Sequence, residues 1–184
     1  MAVENVVIKI RRELIRSVSR LDAWFDMDSA LLDHRSTSTS KTVRELLGEA
    51  MLANRYILQI VDEGRVDNRK ATMSDIPFDE YCSKIEALED PASIPVDFNF
   101  ASFTDGASLP SIRHEMREQL NRCLIHLEEL VEGEIDPFET NLSVGELGRL
   151  DAYQCFYFLA MHVRRCLEQL DNTLSDYNRY AERV

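Results

Sequence analysis

Apolar residues Val3, Val7, Ile10, Leu14, Val18, Leu21 and Phe25 recur every three or four positions, the spacing of one face of an α-helix. This pattern predicts a first helix running to about Leu32. After the polar stretch from His34 to Ser40, Thr42 and Glu45 have capping-box spacing, and a second stripe follows at Val43, Leu46, Leu47, Ala50, Ala53, Ile57 and Val61. Gly64 is the expected stop of that helix. A third helix follows Pro110, carries Ile112, Met116, Leu120, Cys123, Leu127 and Leu130 on one face, and ends before Gly133. The fourth has the strongest start signal: Asp151 and Gln154 form a second capping-box pair, and Leu150 and Cys155 occupy the positions of a hydrophobic staple. It continues through Phe158, Leu159, Leu170, Leu174 and Tyr177, to within a few residues of the C-terminus.

Residues 65–109 contain Pro77, Pro91 and Pro95 and no sustained period, with one short helix expected from about Asp79 to Leu88. A long crossover lets the helix after it run parallel to the helix before it, whereas short links favour antiparallel neighbours. The expected fold is therefore an all-α four-helix bundle, up-down-down-up, with the crossover between helices two and three. No strand-like alternation and no internal repeat competes with this reading.

Composition narrows the class. A chain of 184 residues with 45% hydrophobic content is enough for one domain, residues 1–184, with its own core. The longest apolar runs, such as Cys155 to Met161, fall well short of the ~20 residues needed to cross a bilayer. The opening MAVENVVIKIRREL becomes charged too early for a secretory signal, so the expected location is cytoplasmic and no membrane partner is expected. Cys82, Cys123, Cys155 and Cys166 include no CxxC pair and are expected as free thiols. A formal charge of -12, from 33 acidic and 21 basic residues, repels phosphate backbones, so nucleic acid is not expected as a partner.

Candidate chemistry lies on the fourth helix, where His162 and Cys166 are four residues apart on the apolar stripe between Leu159 and Leu170. A buried imidazole needs a partner, and a thiol beside it is a competent soft ligand for zinc or another transition metal. Glu49 lies at the edge of the second helix's stripe, in line with Leu46, Ala53, Tyr56 and Ile60. It stands about 15 residues from that helix's end, roughly 22 Å, while His162 and Cys166 stand roughly 16 to 22 Å from the start of the fourth. If the two helices are antiparallel, the three groups share one level. His34, His114 and His126 are expected to be structural or exposed, and Trp24 with Phe25 to anchor the core or an oligomer contact. Phosphate-binding Gly loops, GxSxG elbows and HExxH motifs are missing from the sequence.

The segments ELLGEAMLANRYILQIVDEG (residues 45–64) and GRLDAYQCFYFLAMHVRRCLEQL (residues 148–170) resemble the second- and fourth-helix motifs of the DinB-like proteins, a family distinct from the DNA polymerase of similar name. The resemblance implies an up-down-down-up bundle. It also implies a metal site built from one histidine on helix two and an HxxxH pair on helix four, in a family that includes thiol-dependent transferases and isomerases. Here Glu49 stands at the helix-two position, His162 at the first helix-four position and Cys166 at the second. The implied site is therefore altered.

Two functions follow as expectations. In the first, Glu49, His162 and Cys166 hold a divalent metal, zinc or nickel, with one position open. With a low-molecular-weight thiol, implied by the resemblance, it would serve a thiol transferase or isomerase acting on a small-molecule substrate. In the second, the metal is lost and a non-catalytic bundle binds a small ligand or a protein partner. A homodimer is expected in either case.

Overall fold

Two reciprocal capping boxes determine where two of the long helices begin. The Thr42 amide donates to Glu45 Oε2 at 2.6 Å while the Glu45 amide donates to Thr42 Oγ1 at 3.2 Å. Likewise the Asp151 amide donates to Gln154 Oε1 at 3.0 Å, and the Gln154 amide to Asp151 Oδ1 at 2.8 Å. Each box satisfies two backbone donors that the first helical turn leaves unpaired. The computed structural model describes residues 3–37, 39–67, 78–87, 108–144 and 147–182. Within them lie α1 (Val3–Asp22), a 3-10 turn (Ala23–Asp26), α2 (Ser29–Leu32), α3 (Val43–Asp67), α4 (Phe78–Ala87), α5 (Leu109–Glu132), β1 (Glu139–Ser143), β2 (Arg149–Asp151) and α6 (Ala152–Ala181). The chain is mostly helical, and no helix among the described residues is long and apolar enough to cross a membrane.

The expected stripes are the buried faces: Ile10, Leu14, Val18 and Leu21 of α1, Leu47, Ala50, Ile57 and Val61 of α3, and Met116, Cys123 and Leu127 of α5 join α6 in one contiguous cluster. Each of α1 and α3 packs on both α5 and α6, and α4 lies against α6. Polar pairs fix the levels of these contacts. Arg55 meets Glu115 at 2.5 Å, Gln119 donates to the Met51 carbonyl at 3.0 Å, and Arg65 meets Glu129 at 2.9 Å. The Lys9 ammonium lies 5.4 Å from the Tyr157 ring centre, and Arg20 meets Asp171 at 3.4 Å. Pro110 stands in the first turn of α5 behind the N-cap Ser108, and Gly133 (φ 73°) closes that helix in the left-handed region.

Three expectations are corrected. The first helix stops at Asp22 instead of running to Leu32, because the chain turns at Ala23–Asp26 and becomes extended at Met27 (φ -74°, ψ 157°). The turn is clamped from α5: Arg113 pairs with Asp22 at 2.8 Å and with Asp26 at 2.7 Å, and Arg117 pairs with Asp22 at 2.8 Å. These guanidinium bonds hold the Asp22 carboxyl far below the usual carboxylate range. Secondly, Gly64 does not end the second helix, which continues to Asp67. Its missing side chain instead makes room for Phe138, since a Cβ there would stand 3.0 Å from Phe138 Cδ2 and 3.3 Å from the Glu139 carbonyl.

Thirdly, strands exist where none is expected. β1 and β2 form an antiparallel ribbon with Glu139 opposite Asp151 and Ser143 opposite Arg149, interrupted by a register shift. Its buried face is Phe138, Thr140, Leu142 and Val144, and Thr140 disguises the period-two pattern. The Thr140 hydroxyl donates to the Leu150 carbonyl at 2.8 Å, so a polar side chain fills a core position. The short helix forms at Phe78–Ala87, whereas Leu88, Pro77, Pro91 and Pro95 lie outside the described residues.

Gly64→Ala should lower stability by about 1 kcal/mol net, since overpacking of about 1–3 kcal/mol outweighs a helix-propensity gain of roughly 1 kcal/mol. Denaturant melts should show this cost shrink or change sign in a Phe138→Ala background; an equal cost in both backgrounds would contradict the contact.

Candidate metal centre

The start of α6 is buried almost all round, from Ala152 through Phe156, Tyr157, Phe158, Leu159, Ala160 and Met161 to Val163. One turn further on, His162 Nε2 lies 3.6 Å from Cys166 Sγ, as their four-residue spacing predicts. Zinc bonds of about 2.3 Å to sulfur and about 2.0–2.1 Å to nitrogen, at tetrahedral angles, would separate those two ligand atoms by about 3.6 Å. The pair therefore has the edge length of a zinc tetrahedron.

Its electrostatics favour neutral groups. Burial pushes the Cys166 thiol up to about 12, the Glu49 carboxylate pushes the same way, and the Lys41 ammonium opposes them. Burial, helped by the Arg165 guanidinium, brings His162 down to about 4. At neutral pH the two side chains are thus a thiol and an uncharged imidazole. Glu49, the third residue expected from the sequence, acts on Cys166 through its charge. Its oxygen is already committed, however: Glu49 Oε2 accepts from Lys41 Nζ at 2.7 Å, with the carboxylate about three-quarters buried.

Among the described residues no group of three or more His, Cys, Asp and Glu side chains is arranged to hold a metal ion. The donor set explains this. Two uncharged donors face each other, and the one anion that would complete the set is neutralised by an ammonium. The three residues as arranged do not fit a bound divalent metal.

The other histidines have separate surroundings. His126 Nε2 lies 3.2 Å from Asp62 and its Nδ1 3.2 Å from Glu129, so it links α3 to α5 and stacks near Phe156 at 6.1 Å. His34 lies edge-on to Tyr177 at 5.3 Å, with its Nε2 buried and unpartnered, and His114 is exposed. Trp24 is buried in the core. All four cysteines are free and buried.

Sequence reasoning missed Lys41, whose only signal is its place just before the cap Thr42. It also missed a second polar cluster, where the Tyr157 hydroxyl donates to Glu86 at 2.5 Å and Tyr81 donates to the Gln154 carbonyl at 2.9 Å. Burial pushes Cys82 in that cluster up, against the pull of Lys9. These bonds tie α4 to α6. Comparison with models of known protein families, with curated proteins and with solved structures found no match to this chain.

The depressed His162 makes a pH prediction. Unfolded chains take up a proton at the ordinary histidine value near 6.5, whereas the folded chain holds none until about 4. Its contribution is fully present above about 6.5 and is lost as pH falls towards 4. Denaturant melts between pH 7.5 and 4.5 should show a fall of roughly 2 kcal/mol that His162→Gln removes. The same fall in both proteins would assign it to other groups.

Proposed function

We propose that this chain is a DinB-like four-helix bundle of up-down-down-up topology that has exchanged the family's metal for an internal ion pair. In this reading it acts by binding a small ligand or a protein partner, not by metal catalysis. The topology is supported by the polar pairs between helices. Ascending positions of α3 (Arg55, Asp62, Arg65) meet ascending positions of α5 (Glu115, Arg122, Glu129), which suits parallel helices. Lys9 with Tyr157 and Arg20 with Asp171 suit the same relation between α1 and α6. Arg113 near the start of α5 meets Asp22 at the end of α1, as antiparallel helices would.

The observation that carries the functional reading is the 2.7 Å contact between Lys41 and Glu49. It supplies one positive charge at the carboxylate without any Lewis acidity, and leaves the neighbouring thiol protonated. Exposed Ile8 and Ile15, seven residues apart on α1, suit self-association as a homodimer, and four free thiols suit the cytoplasm.

A second reading keeps the altered metal centre, with Glu49, His162 and Cys166 holding zinc or nickel for a thiol transferase or isomerase. The 3.6 Å separation of Cys166 and His162 favours it.

Metal analysis by plasma mass spectrometry on protein purified without a metal-binding tag separates the two. The proposed reading expects far less than one metal per chain, with no uptake of offered zinc or nickel. It also expects alkylation of Cys166 to be indifferent to chelator. About one metal per chain, lost in His162→Ala and Cys166→Ala, would establish the second reading instead.

A further inference from the structure

Among the described residues, four of the large apolar side chains that stay exposed stand on two neighbouring helices, Ile8 and Ile15 on α1 and Ile125 and Val131 on α5. The two helices pack on each other, and the pairing of Asp22 with Arg113 and Arg117 sets the end of α1 beside the start of α5. At about 1.5 Å per residue along antiparallel helices, Ile15 falls level with about Arg122 and Ile8 with about Glu129. The four apolar groups therefore cover one stretch of the helix pair, on the side turned away from α3 and α6. An exposed apolar patch rimmed by charge is the mark of an interaction surface.

Charge distinguishes the same face. α1 carries five basic and three acidic side chains and α5 three basic and five acidic, so the pair is neutral and the net charge of -12 lies wholly on the rest of the chain. Two copies can meet here without the repulsion that the rest of an acidic surface imposes. The charges are also segregated: exposed Arg12 and Arg16 line α1, and exposed Glu118 and Glu128 line α5. Arg16, Glu118 and Glu128 form no ion pair with another described residue, and Arg12 makes only a 3.4 Å contact with its neighbour Glu13.

We propose that two copies of this chain associate through the α1–α5 face, as a two-fold dimer in which α1 of each protomer lies on α5 of the other. This rests on the self-association proposed above and gives it a surface. Setting α1 against its own copy would oppose arginine to arginine. A two-fold axis parallel to the helices instead brings the basic side of each α1 to the acidic side of the other protomer's α5, twice over, around an apolar centre. The helix pair offers a face of about 30 Å by about 20 Å, on the order of 600 Å² per protomer, near the roughly 800 Å² that each partner buries in a standard interface.

The test is sedimentation velocity of the full chain from low to high micromolar concentration. Wild type should show a monomer–dimer equilibrium that Ile8→Glu with Ile15→Glu weakens at least about ten-fold. Arg12→Glu with Arg16→Glu should weaken it similarly, and so should Glu118→Lys with Glu128→Lys. Mixed in equal amounts, these two charge-reversed proteins should recover a dimer, because each reversed α1 then meets a reversed α5. All six positions are exposed, so circular dichroism should show an unchanged fold in every variant. Charge-reversed variants that dimerise alone as wild type does would overturn this face and leave self-association standing through another. Weakened variants that stay apart on mixing would overturn the pairing of α1 with α5. A wild type that stays monomeric throughout would overturn the face and the homodimer together, with the metal-free reading untouched.

Discussion

Burial of the first half of α6 is the constraint on which the other elements depend. Between Ala152 and Leu170 its side chains meet apolar surface on most sides, so α1, α3, α4 and the ribbon each cover part of one helix. A helix in that position can carry polar groups only where a partner is built for them. The partners are specific: Gln154 is used in the cap, Tyr157 is met by Glu86, and Cys155 by the Thr140 hydroxyl at 3.2 Å. The ribbon and the short α4 are not ornaments on a bundle. They supply hydrogen bonds that the long helices do not provide.

The same constraint determines the character of the candidate site. His162 and Cys166 follow directly from the buried stretch and inherit its low polarity, which holds both in uncharged forms. Charge is admitted only at the rim, where Lys41 and Glu49 neutralise each other while each retains some contact with water. An ion pair placed there avoids most of the desolvation cost that full burial imposes.

Sequence periodicity made α1, α3, α5 and α6 legible because each has a stripe continuous enough to override local ambiguity. The caps at Thr42, Asp151 and Gly133 were legible because capping chemistry is local in sequence. The break after Asp22 was not: Trp24, Leu31 and Leu32 stay buried across it, so the apolar pattern runs on while the backbone turns. What enforces the turn is a set of guanidinium bonds from residues some ninety positions away. Gly64 misled for the opposite reason, since its small size answers a neighbour in space, Phe138, and not a helix end. In the candidate site, the approach of His162 to Cys166 was legible from i, i+4 spacing. Lys41 was not, because no period links a loop residue to a helix face.

Why a lysine differs from a metal at this position is a matter of what each does to the thiol. A divalent ion bonded to sulfur stabilises the thiolate outright and makes it a ligand. An ammonium paired with a carboxylate presents almost no net charge to its surroundings, and here its pull on Cys166 is smaller than the push from Glu49 and the larger effect of burial. A thiol held in that state is a poor nucleophile at neutral pH. On the proposed reading, then, this end of the bundle does its work through shape and hydrogen bonding.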